Sequence, residues 1–202
     1  MDSAVSSPEP VYVPASIRRP VKILVTGGFG VGKTTLVGSV SEIRPLRTEA
    51  VMTQASAEVD SLALLPGKTR TTVGMDFGRR ALNDELMLYL FGAPGQRRFW
   101  GLWEGLSVGA VGALVLVDTR RLAESFDVLD QLDTRDEQLP VTVAHNRFPG
   151  SRAYPDAEIR DALGLPGHVP VVECDALRDP ASCVHALITL VTHALELRGA
   201  TP

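Results

Sequence analysis

The sequence predicts an α/β fold: a six-stranded, mostly parallel sheet with one antiparallel strand and helices on both faces. Three observations carry this expectation. Short apolar runs alternate with amphipathic segments along most of the chain. The run VKILVTG (21–27) leads into a glycine-rich stretch and then into a helical pattern, LVGSVSEI (36–43). The runs TVGMDFGRRAL (72–82) and ELMLYLFG (85–92) flank a single turn signal, Asn83-Asp84, which makes them an antiparallel hairpin.

Taken in order, residues 1–19 are rich in Ser, Pro and Ala and read as a flexible leader, with one folded domain over 20–198. VKILVTG is the buried central strand, and the helix after it begins inside the glycine loop. Residues 45–71 have mixed polarity and no clear period, so they read as a long connection with room for one short helix. After the hairpin, GALVLVD (112–118) is a buried strand followed by a helix near 122–134. VTVAH (141–145) and VPVVECD (169–175) complete the six strands, and 155–163 and 180–197 fit amphipathic helices. The last helix places Val184, Leu187, Ile188, Val191, Ala194 and Leu195 on one face.

At 202 residues the chain suits one sizeable core, and a net charge of −4 offers no basic field for nucleic acid. Cys174 and Cys183 lack metal-ligand spacing and read as buried free thiols suited to a reducing cytoplasm. No apolar run reaches the roughly 18 residues of a spanning helix. The N-terminal MDSAVSSPEP is not a secretion signal, and neither Asp2 nor the C-terminal LELRGATP permits a lipid anchor. Membrane recruitment would therefore come from a partner.

Gly27 to Thr34, GGFGVGKT, fulfils the pattern G-x-x-x-x-G-K-[ST] between a strand and a helix. Glycines admit positive φ and let a phosphate approach the backbone. The N–H groups from Gly28, Phe29, Gly30, Val31 and Gly32, with the helix start at Lys33, Thr34 and Thr35, then cradle the anion. Lys33 would bridge β- and γ-phosphates, and Thr34 would bind Mg²⁺.

From Thr72 onward the order of motifs resembles the Ras-like small GTPases. Thr72-Val73-Gly74-Met75-Asp76-Phe77 looks like the start of a strand whose leading threonine closes over Mg²⁺ and the γ-phosphate. Ala93-Pro94-Gly95-Gln96 looks like switch II, with the Gly95 amide on the γ-phosphate and Gln96 orienting water. His145-Asn146-Arg147 and Asp175-Ala176-Leu177 occupy the places of the two guanine-binding loops. The stretches GGFGVGKTTLVGSVSEI, TTVGMDFGRR, LYLFGAPGQRRFW and LVDTRR more closely resemble bacterial small GTPases of the MglA kind, in particular the conservon-encoded ATP/GTP-binding proteins of actinobacteria. The similarity runs from about residue 20 to 195. It implies a Ras-like fold, a GTP/GDP switch with Mg²⁺, and a monomer in the cytoplasm. It also implies two partners, a roadblock/LC7-type regulator and a sensor-kinase-like membrane protein.

Several residues depart from the Ras pattern. Phe29 occupies the glycine position beside the γ-phosphate, either as a brake on hydrolysis or as a ring packed sideways under switch II. Gly92 replaces the aspartate that holds the waters of Mg²⁺; Asp118, at the end of its own apolar strand, is either its substitute or a local cap. Arg147 and Pro149 replace the lysine and aspartate of the guanine motif, so Asn146 and the Ala176 amide are left at the base. By analogy with MglA, Arg70 is a candidate internal arginine finger, while Arg97, Arg98, Arg120 and Arg121 read as surface or partner contacts. Phe99, Trp100 and Trp103 cannot all face inward, so at least one is a candidate interface anchor. Two other readings stay open: a scaffold that has lost catalysis, and an ATPase or kinase that uses Asp118.

Overall fold

The protein is described by a computed structural model that covers residues 19–51, 70–133 and 139–199. Seven strands form one sheet in the order β2-β3-β4-β1-β5-β6-β7. They are β1 (Arg19–Gly27), β2 (Leu46–Val51), β3 (Arg70–Ala81), β4 (Leu86–Gly92), β5 (Ala110–Val117), β6 (Val141–Asn146) and β7 (Val171–Cys174). All neighbours pair in parallel except β3, which is antiparallel to both β2 and β4. The helices are α1 (Lys33–Val40), α2 (Leu102–Ser107), α3 (Glu124–Asp133), α4 (Asp156–Ala162) and α5 (Pro180–Gly199).

The central strands are apolar on both sides because both sides are covered. Alternate residues point to opposite faces. Ile23, Val25, Leu114 and Leu116 meet Leu36 and Val37 of α1 and Leu187 and Leu190 of α5. Leu24, Ala113, Val115 and Val117 meet Trp103 of α2, Val128 of α3 and Ile159 of α4. This layering directs the C-terminal ends of β1, β5, β6 and β7 to one edge, where the connecting loops gather. Cys174 and Cys183 are buried, unoxidised thiols in the first of these layers.

Three expectations change. Residues 46–51 form a seventh strand where the sequence suggests only a connection. LRTEAV carries the charged Arg47 and Glu49 in place of the unbroken apolar run of the central strands, and this charge hides its identity in the sequence. The hairpin turn has three residues rather than two: Asn83 Oδ1 accepts from the N–H of Glu85 at 2.9 Å and of Leu86 at 2.8 Å, and Leu82 pairs with Leu86. A one-residue difference in a turn exchanges the two faces of a strand relative to its partner. In the observed register Asp76 lies opposite Gly92.

The third change is in α5. Its buried side is built from Cys183, Ala186, Leu187, Leu190, His193 and Ala194, while Ile188 and Leu195 are 44% and 63% exposed. By length and composition alone α5 is apolar enough to cross a membrane, a property shared by core helices. Here it packs on α1, β5, β6 and β7.

Leu190 is fully buried and lies against Gly112, where an added Cβ would come within 2.8 Å of it. Leu190→Ala should therefore cost about 2–5 kcal/mol in denaturant unfolding, whereas Leu195→Ala should stay within about 0.5 kcal/mol of wild type.

Candidate nucleotide-binding site

At the end of β1 the chain turns through Gly27, Gly30 and Gly32, with φ of 138°, 75° and 102°, and then enters α1. Lys33 Nζ donates to the Gly27 carbonyl at 2.8 Å and the Gly28 carbonyl at 2.6 Å, from a buried position. The ammonium is thus held at the mouth of the loop. The positive end of α1, with Thr34 and Thr35 in its first turn, faces the same place. Phe29 is buried.

The segment after β4 lies directly over this loop. Ala93 N–H continues the ladder to Val25, at 2.8 Å. A Cβ on Gly95 would sit 2.5 Å from Lys33 Nζ and 2.7 Å from the Gly28 carbonyl oxygen, so only glycine fits. The indole N–H of Trp103 donates to Pro94 O at 3.0 Å and that of Trp100 to Gly95 O at 3.4 Å. The two tryptophans therefore pin the Pro94-Gly95 backbone. Trp103 is fully buried, Trp100 and Phe99 are partly buried, and Leu102 between them is 47% exposed. Gln96 is itself buried, with its Oε1 accepting from Arg98 at 2.9 Å.

The Thr34 hydroxyl donates to Asp76 Oδ2 at 2.6 Å. Asp76 is buried on β3, and a Cβ on Gly92 opposite would lie 3.1 Å from its Cβ. The carboxylate that the motif pattern expects at 92 is thus supplied by the neighbouring strand, and Gly92 leaves room for it. Threonine hydroxyl and carboxylate are hard oxygen donors of the kind Mg²⁺ takes. Asp76 was not singled out from the sequence; the register across a three-residue turn is the signal that finds it. The backbones of Arg70 and Thr72 lie on β3, opposite Val51 and Glu49. The side chains of both lie outside the described residues.

Asp118 takes the local role. It accepts from the Arg120 backbone N–H at 3.0 Å, Nε at 2.9 Å and Nη2 at 2.7 Å, capping the short turn Thr119–Arg121. Burial alone would raise the Asp118 carboxyl, but the Arg120 hydrogen bonds and the Arg121 charge hold it below its ordinary value. Arg121 is not a surface contact. Its side chain is 7% exposed, donates to the Phe29 carbonyl at 2.8 Å and is gripped by Glu124 at 3.0 and 3.1 Å. It braces the outer edge of the phosphate loop from the β5–α3 connection.

At the other end of the cleft, Asn146 donates to Val31 O at 2.9 Å and accepts from Ala176 N–H at 3.0 Å. A Cβ on Gly32 would sit 2.3 Å from Asn146 Nδ2. Arg147 pairs with Glu173 at 2.9 Å, and Pro149 brings no side-chain acceptor. Asp175 Oδ1 accepts from the N–H groups of Leu177 and Arg178, so it shapes the turn. Leu177 stands at the rim, 68% exposed. A cleft of about 380 Å³ runs from Thr34 and Thr35 to Ala176 and Leu177.

The glycine cradle, its lysine, the helix start and the Thr34–Asp76 pair define a nucleotide-binding protein of the phosphate-loop kind. Residues 25–197 match the family described as "Conserved hypothetical ATP binding protein", and the chain belongs to it. No curated protein matches the chain.

A carboxyl held below its ordinary value contributes stability above the unfolded range, near about pH 4. That contribution disappears as pH falls through the lower native value. Thermal melts should therefore show Asp118→Asn less stable than wild type at neutral pH, with the gap closing as the buffer is acidified below about pH 4.

Proposed function

We propose that this protein is a small guanine-nucleotide switch of the MglA-like kind. It binds GTP or GDP with Mg²⁺, hydrolyses GTP slowly and acts in a bacterial multi-component signalling system. The observation that carries this reading is the approach of Gly95 to Lys33 and Gly28, too close to admit a Cβ. A γ-phosphate in the cradle lies where that approach is made, so the Pro94-Gly95 segment and the tryptophans behind it would report its presence.

In this reading Lys33 and the loop N–H groups from Gly28 to Gly32 hold the β- and γ-phosphates. Thr34, backed by Asp76, holds Mg²⁺, with Thr72 as a second ligand by family resemblance. The ion, when bound, offsets charge on the phosphate oxygens. Gln96 orients the attacking water after its carboxamide leaves Arg98, a step consistent with slow basal hydrolysis. Arg70 is the internal arginine finger in the same resemblance. The aromatic segment with exposed Leu102 beside Arg97 and Arg98 offers a surface to a roadblock/LC7-type regulator, and such a partner, with a sensor-kinase-like protein, would recruit this chain from the cytoplasm to a membrane.

A second reading, an adenine nucleotide in the same cradle, is favoured by the family description and by the base end. There Pro149 lacks an acceptor, and the Ala176 N–H is already bonded to Asn146.

Titration with fluorescent GTP, GDP and ATP analogues in Mg²⁺ separates these readings. We expect guanine-selective binding that Lys33→Ala abolishes, and an affinity for the triphosphate that Asp76→Asn lowers at least tenfold at limiting Mg²⁺, about 1.4 kcal/mol. Equal or preferential ATP binding would give the adenine reading the lead, and binding untouched by Lys33→Ala would reject the cradle. Gly95→Ala should weaken the triphosphate more than the diphosphate, read in the same titration.

A further inference from the structure

Arg47 has no part in the site so far, and its position is built by three separate features. It lies on β2 directly opposite Asp76, and the ladder register breaks immediately after it, between Arg47 and Glu49. Directly opposed residues in an antiparallel pair share a face, and breaks of this kind redirect side chains beside functional sites. Arg47 therefore shares the face on which Asp76 receives Thr34.

Its guanidinium then lies against α1 at Gly38. A Cβ on Gly38 would come within 2.9 Å of Arg47 Nη2. Glycine inside a helix is less favourable than alanine, and here the missing side chain is what leaves space for the arginine. Among the described residues Arg47 is also the single charged residue lining the cleft between Thr34–Thr35 and Ala176–Leu177.

We infer that Arg47 is a nucleotide-contacting residue whose guanidinium takes the α-phosphate. This rests on the nucleotide reading of the cleft and deepens it. The Thr34–Thr35 end belongs to phosphate and the Ala176–Leu177 end to the base, so the middle receives the α-phosphate and ribose. A planar guanidinium with several N–H donors suits phosphate oxygens in one orientation, and the charge-assisted bonds it makes are strong. The α-phosphate is common to di- and triphosphates and to both purines. Arg47 accordingly strengthens binding of each without selecting among them, and it connects the edge strand to the bound nucleotide.

The test is titration of the full chain with fluorescent GDP, GTP and ATP analogues in Mg²⁺, comparing wild type with Arg47→Ala, Arg47→Lys and Gly38→Ala. For every nucleotide that wild type binds, Arg47→Ala should weaken affinity about tenfold, and Arg47→Lys should recover part of the loss. Gly38→Ala, which displaces the guanidinium, should weaken binding severalfold while its thermal midpoint does not fall. That loss should vanish in the Arg47→Ala background, and far-UV circular dichroism should show every variant folded. Affinities for Arg47→Ala equal to wild type would overturn the inference while leaving the nucleotide reading intact. So would a loss confined to one base or to the triphosphate. A folded wild-type protein that binds none of the three would overturn the nucleotide reading itself, and the inference with it.

Discussion

The side-chain amide of Asn146 joins three parts of the chain that are far apart in sequence. One end holds the Val31 carbonyl in the phosphate loop, and the other holds the Ala176 N–H after β7. Buried among apolar strands, these bonds gain strength from the low local dielectric and leave few alternatives to the geometry they impose. The cradle and the loop at the base end are therefore set relative to each other before any ligand arrives. Gly32 completes the arrangement, because any side chain there would occupy the space of the amide.

Around this tie the cradle is held from its other sides by groups of different origin. Lys33 gathers the Gly27 and Gly28 carbonyls from within. Arg121, reaching from the turn after β5, holds the Phe29 carbonyl and is itself oriented by Glu124, with Asp118 beside it. The backbone of Gly95 forms the roof, held by two indoles. Phe29 is itself buried within this frame. Apolar packing thus sets the layers, and a small number of charge-assisted bonds set the loops between them.

Much of this was legible in the sequence. The loop from Gly27 to Thr35 and the strand positions of β1, β5, β6 and β7 follow from local pattern, because each is decided by residues close in the chain, whereas Gly95 and Asn146 are found through the resemblance of their motifs to the Ras-like pattern. What was not legible depends on contacts across the sheet. Asp76 could be found only by pairing β3 with β4 correctly, and an assumed two-residue turn places Met75 opposite Gly92 instead. Strand β2 lies at the edge of the sheet and lacks the apolar signature of its neighbours. The role of Arg121 depends on the fold bringing residue 121 to residue 29, and no spacing within the sequence announces that. The stripe on α5 was misjudged for a related reason. Its apolar residues are more numerous than the core can bury, so periodicity alone does not say which of them face inward.

The exchange between Asp76 and Gly92 bears on how such proteins are to be compared. A search that reads along the chain for an acidic residue at the end of the strand before Pro94-Gly95 would class this protein as having lost its cation chemistry. A carboxylate is present instead on the adjacent strand, where Asp76 accepts from the Thr34 hydroxyl. Close packing couples the two positions: a Cβ at 92 would lie 3.1 Å from the Asp76 Cβ and 3.3 Å from its Oδ2, so one of the two would have to give way. Among related chains the two positions should accordingly covary, acid at one accompanying glycine at the other. Lineages that combine small neutral residues at both are then the ones in which a true loss of the ion is to be sought.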